Sequence, residues 1–175
     1  MDRTILLLVG GLTGIASAAP AKAQHVAASA SPAVLILSRQ AQRLLALQYR
    51  SFPTEFMGCM VGELRGDTVL IERIAPADVD PAQSTATQVV PQQSCEAAGW
   101  TSTVGVIHSH PTGERCWYFF PGTAVPTSDG YSFLRGRYPV DAIMCGDRVV
   151  WISRSGVQHE VGLAGRLTSH VNAVR

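Results

Sequence analysis

Two pairs of short apolar segments, each folded back across a tight polar turn, set the strongest limit on what this chain can become. Residues 56–64 and 68–74 flank Arg65-Gly66-Asp67, and residues 140–145 and 149–153 flank Gly146-Asp147. Each pair has the layout of an antiparallel hairpin. Further strands are expected at 34–37, 101–107 and 156–161. Ser38 is placed to cap a helix over 39–49 with an apolar face of Ala41, Leu44, Leu45 and Leu47, ended by Pro53. A short helix is expected over 128–134 and another over 163–174. Residues 75–99 and 112–126 lose apolar periodicity and read as loops. Helices bracketing hairpin-joined strands indicate an α+β fold with a central sheet, not a doubly wound parallel one.

At 175 residues there is room for one domain. With 14 Lys+Arg against 13 Asp+Glu the net charge is +1, which leaves no basic stripe for nucleic acid. An apolar share of 46% is enough to bury a core and argues against disorder.

The N-terminus has the pattern of a secretory signal: Arg3, then an apolar stretch over 5–16, then Ala21-Lys22-Ala23 with a cut before Gln24. The stretch is shorter than the ~20 residues of a membrane span, so no stable span is expected after cleavage. The expected organisation is a signal peptide over 1–23, an Ala/Ser linker over 24–33 and one domain over 34–175, periplasmic or secreted. In such an oxidising compartment Cys59, Cys95, Cys116 and Cys145 can form two disulfides. Cys59 and Cys145 lie in apolar strand-like runs, where a buried thiol serves as a small hydrophobe. Cys95 and Cys116 lie in polar segments, and Cys95–Cys116 is the favoured pair, as a loop staple. No C-x-x-C spacing points to a zinc ribbon or a redox pair.

His108 and His110 stand two apart at the end of a strand, so both imidazoles face one point while Ser109 faces the other way. Pro111 ends the strand and leaves the pair at a rim. Two imidazoles so placed chelate a borderline-soft divalent ion, most simply zinc (Zn2+). A catalytic zinc needs a third protein ligand and an open fourth position. Asp129 is the best-placed downstream carboxylate, with Glu114 and Asp141 as fallbacks. A general base is needed beside the water but off the metal, and Glu55 and Glu63 are the candidates. His25, His159 and His170 have no ligand partner at useful spacing, and Trp100 and Trp151 read as core.

Glu55-Phe56-Met57-Gly58 after a helix, and His108-Ser109-His110-Pro111 after a strand, resemble the JAB/MPN metalloprotease family with its JAMM motif. The resemblance spans about 34–161. It implies a JAB/MPN-like, cytidine-deaminase-like mixed sheet flanked by helices. By the same resemblance His108, His110 and Asp129 bind zinc and Glu55 is the general base, whereas Glu63 reads as a solvent-facing strand-end residue, the default place of a glutamate. Two features depart from the family pattern. The serine expected three residues before the aspartate is replaced by Pro126, which has no donor, and Ser128 or Thr127 is left to supply a hydroxyl to the developing charge. Asp129 also stands 19 positions after His110, farther than the family usually has, which implies an insertion over 115–123. Its aromatic run, Trp117 to Phe120, either walls the substrate site or packs on the domain.

The resemblance implies an exported zinc-dependent hydrolase of amide bonds, acting on a peptide or protein. The competing readings are a protein-binding scaffold of the same fold, favoured by Pro126 and the long loop, and a zinc-storage protein. An intact three-ligand set with a separate base disfavours both, since storage sites are closed by a fourth ligand.

Overall fold

The structure, a computed structural model, describes residues 31–163. The expected signal peptide, nearly all of the expected linker and the expected C-terminal helix lie outside the described residues, as do His25 and His170. Within them the order is β1 (Val34–Leu37), α1 (Arg39–Ser51), β2 (Met57–Arg65), β3 (Thr68–Pro76), β4 (Thr103–Ser109), α2 (Ser128–Arg135), β5 (Val140–Cys145), β6 (Arg148–Ser153) and β7 (Gln158–Gly162). The strands form one sheet of seven in the order β1-β3-β2-β4-β5-β6-β7. β1 pairs with β3 and β4 with β5 in parallel, and the other pairs are antiparallel. The fold is therefore α+β with a mixed sheet, as the hairpin pattern predicts. No helix among the described residues is long and apolar enough to cross a membrane.

Alternation along the strands sorts side chains onto two faces. Met60, Ile71, Ile107, Ala142, Met144 and Trp151 form one core under α1. Ser38 caps α1 as expected, its Oγ accepting from the Ala41 N–H at 3.1 Å. Ala41 and Leu45 are buried on the sheet, whereas Leu47 is 63% exposed. Leu47 was expected on the apolar face, but at 100° per residue it falls well away from the stripe that Ala41 and Leu45 define.

The opposite face is covered mainly by loops. Ile143, Val150 and Ile152 pack under Tyr118 and Phe133, and Cys59, Val61 and Ala75 under Cys95. Two disulfides hold these covers down, Cys59–Cys95 and Cys116–Cys145. The expected Cys95–Cys116 staple is thereby corrected. Each loop cysteine bonds the strand cysteine directly beneath it, because Cys59 and Cys145 point to this face of the sheet. β2 and β5 are separated by β4, and at ~4.8 Å per strand the two strand thiols lie out of each other's reach. Trp151 is core as expected, with His159 stacked on it at 4.5 Å between centroids. Trp100 is only half-buried, at the rim of the third cluster, under the Arg73 guanidinium.

The disulfides span sequence separations of 36 and 29 residues, so replacing both cysteines of either pair by alanine is expected to lower the unfolding free energy by about 4 kcal/mol. Denaturant titration measures the loss, and peptide mapping without reductant should recover 59–95 and 116–145 linkages.

Candidate metal centre

The end of β4 and the start of β2 lie side by side in antiparallel register, with Met57 opposite His108. Ser109 is fully buried on the face away from the imidazoles. Its N–H donates to the Phe56 carbonyl at 3.0 Å, and its Oγ accepts from the Phe56 N–H at 3.0 Å. Glu55 is therefore clamped against the histidine pair through its neighbour's backbone, and its own N–H donates to the Thr85 carbonyl at 2.7 Å.

The two imidazoles stand 5.1 Å apart between centroids. His110 Nδ1 is 2.9 Å from the Glu114 carbonyl oxygen. A carbonyl can only accept, so Nδ1 carries the proton and Nε2 turns a lone pair toward the centre. The Tyr49 hydroxyl at the end of α1 donates to the His110 and Pro111 carbonyls at 3.0 and 3.3 Å.

Asp129 arrives from the first turn of α2. Between His110 and Asp129 the chain folds on itself: the Phe120 N–H donates to the Val125 carbonyl, and the Thr127 N–H to the Tyr118 carbonyl. The extra residues form this excursion, which returns Asp129 to the site. Gly130 permits the approach, since a Cβ there would lie 2.1 Å from the Tyr118 carbonyl oxygen. Asp129 Oδ1 is 3.6 Å from His108 Nε2, and Oδ2 is 3.4 Å from His110 Nε2. The ligand atoms of these three residues lie within 4.8 Å of one another. Glu55 is buried, its Oε1 3.8 Å from His110 Nε2.

These donors fit a divalent ion. His108 Nε2 is buried without a hydrogen-bond partner, an expensive state for a polar atom unless a ligand meets it. Two imidazoles and one carboxylate are the donor set of a catalytic zinc site with its fourth position open. A second group, His110 with Cys116 and Cys145, is close enough in space, but its sulfurs are joined in the disulfide and offer no thiolate.

The electrostatics follow from burial. Desolvation raises the Glu55 carboxyl above its ordinary range, opposed by the attraction of His108 and His110. Desolvation would raise Asp129 too, but its contacts with His108 and His110 prevail and hold it well below the carboxylate range. For His108 burial opposes protonation, and the carboxylates of Asp129, Asp141 and Glu55 outweigh it and raise its pKa.

Of the fallback ligands, Glu114 contributes its backbone carbonyl. Asp141 lies buried in the sheet face, accepting from the Tyr118 hydroxyl at 2.8 Å. Glu63 is a strand-end residue paired with Arg65, 41% exposed and away from the centre. Thr127 is committed to the cap of α2: its hydroxyl accepts from Gly130 N–H and lies 3.1 Å from both the Trp117 and Tyr118 carbonyls. Both Thr127 and Ser128 line the cavity at the centre, and only Ser128 has a hydroxyl not engaged in that cap. The aromatic run does both things that its sequence allows. Tyr118 is fully buried and Phe119 packs beside it, while Trp117 and Phe120 line the cavity. Ser109, Tyr49 and the Tyr118–Asp141 pair escape a sequence reading. Only Ser109 had a signal, its place between two histidines on the opposite face of the strand.

Residues 37–119 match the family described as prokaryotic homologs of the JAB domain. Over this stretch, just under half of its length, the chain is similar to JAB/MPN proteins. Glu55, His108 and His110 fall inside the matched stretch; Asp129 lies beyond it. The solution structure of a protein from Desulfitobacterium hafniense is similar to this chain at 18% identity and a TM-score of 0.40, covering 74% of this chain and 90% of that one. No curated protein matches the chain at a significant level.

Burial pushes the Asp141 carboxyl up to about 6, against the attraction of His108 and the Tyr118 hydrogen bond. Between pH ~4 and ~6 the folded protein then holds a proton that the unfolded chain has released, so this group's contribution to stability falls as pH rises through that window. Asp141→Asn keeps an acceptor for Tyr118 and removes the fall. Relative to the parent, the metal-free variant is expected to gain about 2–3 kcal/mol between pH 4 and pH 7, read by urea titration at both values.

Proposed function

We propose that this protein is an exported zinc metallopeptidase or isopeptidase, hydrolysing an amide bond in a peptide or protein substrate. The observation that carries the reading is the convergence of His108, His110 and Asp129 with a second, buried carboxylate, Glu55, beside them and off the donor set. A binding scaffold gains nothing from such a cluster, which is costly to bury. Export is supported by the N-terminal signal pattern and by the two disulfides, which persist in oxidising compartments.

His108, His110 and Asp129 would hold the ion, whose Lewis acidity, when bound, polarises a carbonyl and acidifies a water molecule. Glu55 does the proton work. Its raised affinity for a proton, set by burial, suits a base that accepts from water and then returns the proton. As the water oxygen bonds to the amide carbon, its proton passes to Glu55. As the C–N bond breaks, Glu55 donates that proton to the departing amine nitrogen. The Glu114 carbonyl keeps the His110 tautomer fixed throughout. With Pro126 where the family has a serine, the Ser128 hydroxyl on the cavity wall is the donor for the developing charge on the carbonyl oxygen.

Metal analysis of the purified protein should find about one zinc per chain. Glu55→Gln should retain it, and His108→Ala and Asp129→Ala should lose it. On a peptide library, Glu55→Gln is expected to slow cleavage at least ~100-fold, and Ser128→Ala about 100-fold. A folded parent that takes up no zinc would sink the hydrolase reading and leave a scaffold.

A further inference from the structure

The cavity at the centre, about 490 Å3, is lined by three carboxylate residues, Glu55, Glu114 and Asp129, and by one permanently cationic side chain, Arg115. A substrate entering a space so rich in negative charge meets a single guanidinium. Among the described residues Arg115 has no ion-pair partner, whereas Arg65, Arg137 and Arg148 each hold a glutamate. Glu114, its neighbour, forms no ion pair with it.

The backbone beneath Arg115 is unusual. Its φ is 54°, and it is the only non-glycine residue in the left-handed region among the described residues. A residue with a Cβ is disfavoured there, and it persists where its surroundings fix it. Here they do so on both sides. The preceding carbonyl, of Glu114, is held by the His110 ring. The following residue, Cys116, is bonded to Cys145 at the end of β5. The Arg115 carbonyl accepts from the Trp117 N–H at 2.9 Å. Arg115 is thus anchored one residue from a contact with a proposed metal ligand, and it lines the same cavity as Trp117 and Phe120.

We propose that Arg115 is the specificity residue of the site: it receives a substrate carboxylate close to the scissile amide, with the adjoining apolar side chain against Trp117 and Phe120. The assignment rests on the hydrolase reading of the same centre. A planar guanidinium matches a carboxylate through two parallel N–H···O bonds, and aromatic walls supply apolar contact without strict shape demands. The carboxylate comes either from the C-terminus of a peptide or from an acidic side chain. Both present the same group to Arg115, and the substrate class is an apolar-acidic peptide end or segment.

The test uses the full chain as the parent, Arg115→Asn and Arg115→Lys. Asparagine tolerates the left-handed backbone and removes the charge, and lysine keeps the charge without the fork. Acetylated hexapeptides of one apolar sequence are offered in three forms: amidated, with a free C-terminal carboxylate, and amidated with one internal aspartate. Cleavage by zinc-loaded protein is followed by mass spectrometry. In parallel, acetyl-phenylalanyl-alanine and its amide are titrated into metal-free protein and followed by tryptophan fluorescence. The parent is expected to favour a carboxylate form by about tenfold or more in kcat/KM, and whichever form leads identifies the source. Arg115→Asn should bring the ratio of carboxylate to neutral substrate close to one, and Arg115→Lys should restore part of it. A parent without preference, or a preference that survives in Arg115→Asn, overturns the assignment. If the parent cuts nothing, the hydrolase reading fails on its own account and the titration decides. Tighter binding of the acid that is lost in Arg115→Asn upholds the role of Arg115, and equal binding of acid and amide removes it.

Discussion

The antiparallel pairing between the start of β2 and the end of β4 is the contact on which the centre depends. Neighbouring strands lie ~4.8 Å apart, so a glutamate entering one strand beside a histidine leaving the other is brought within reach of it by backbone geometry. The two hydrogen bonds between Ser109 and Phe56 lock that register at the rim, where a strand pair would otherwise fray. The remaining parts of the centre are attached to this seam. α1 grips the turn after the histidines through Tyr49, the inserted loop fixes the His110 ring through Glu114, and α2 brings Asp129 across.

The price is a group of ionisable side chains on a sheet face that is otherwise apolar. Glu55 and Asp141 are buried, Asp129 is partly so, and His108 has an unpartnered ring nitrogen. Isolated buried charges cost several kcal/mol each, and here they offset one another imperfectly: Asp129 is held ionised by the histidines, while Glu55 and Asp141 are pushed toward their neutral forms. Such divergence among the carboxyl groups is what the proposed division into a metal ligand and a proton acceptor requires. The covers over this face have little regular structure, and the two disulfides supply the constraint that a second layer of helices would otherwise give.

Much of this was legible in the residues. The hairpins, the Ser38 cap, the helix at 128 and the opposed directions of His108 and Ser109 follow from local rules of turn, cap and period, which involve only near neighbours in sequence. The fold class and the family resemblance were legible for the same reason, since the informative residues sit together in two short segments. Leu47 was misplaced because a four-residue apolar cluster is wider than the stripe that one sheet can cover. The cysteine pairing was misread because burial of Cys59 and Cys145 in strands looked like inertness, whereas those side chains lie directly under the loops that need fastening.

By itself the sequence determined the elements, the α+β class and the residue types able to hold a metal and move a proton, because each depends on spacing within a strand or a turn. Only the tertiary structure decided which of Asp129, Glu114 and Asp141 joins the histidines, which of Thr127 and Ser128 stays free, and which half of the aromatic run faces the cavity. Those outcomes depend on the path of a long loop, and that path is set by distant partners: the Cys145 sulfur, the Tyr118 carbonyl against Gly130 and the His110 ring on Glu114. A loop without periodicity carries no local code for its course, so its destination emerges only when the sheet beneath it is complete.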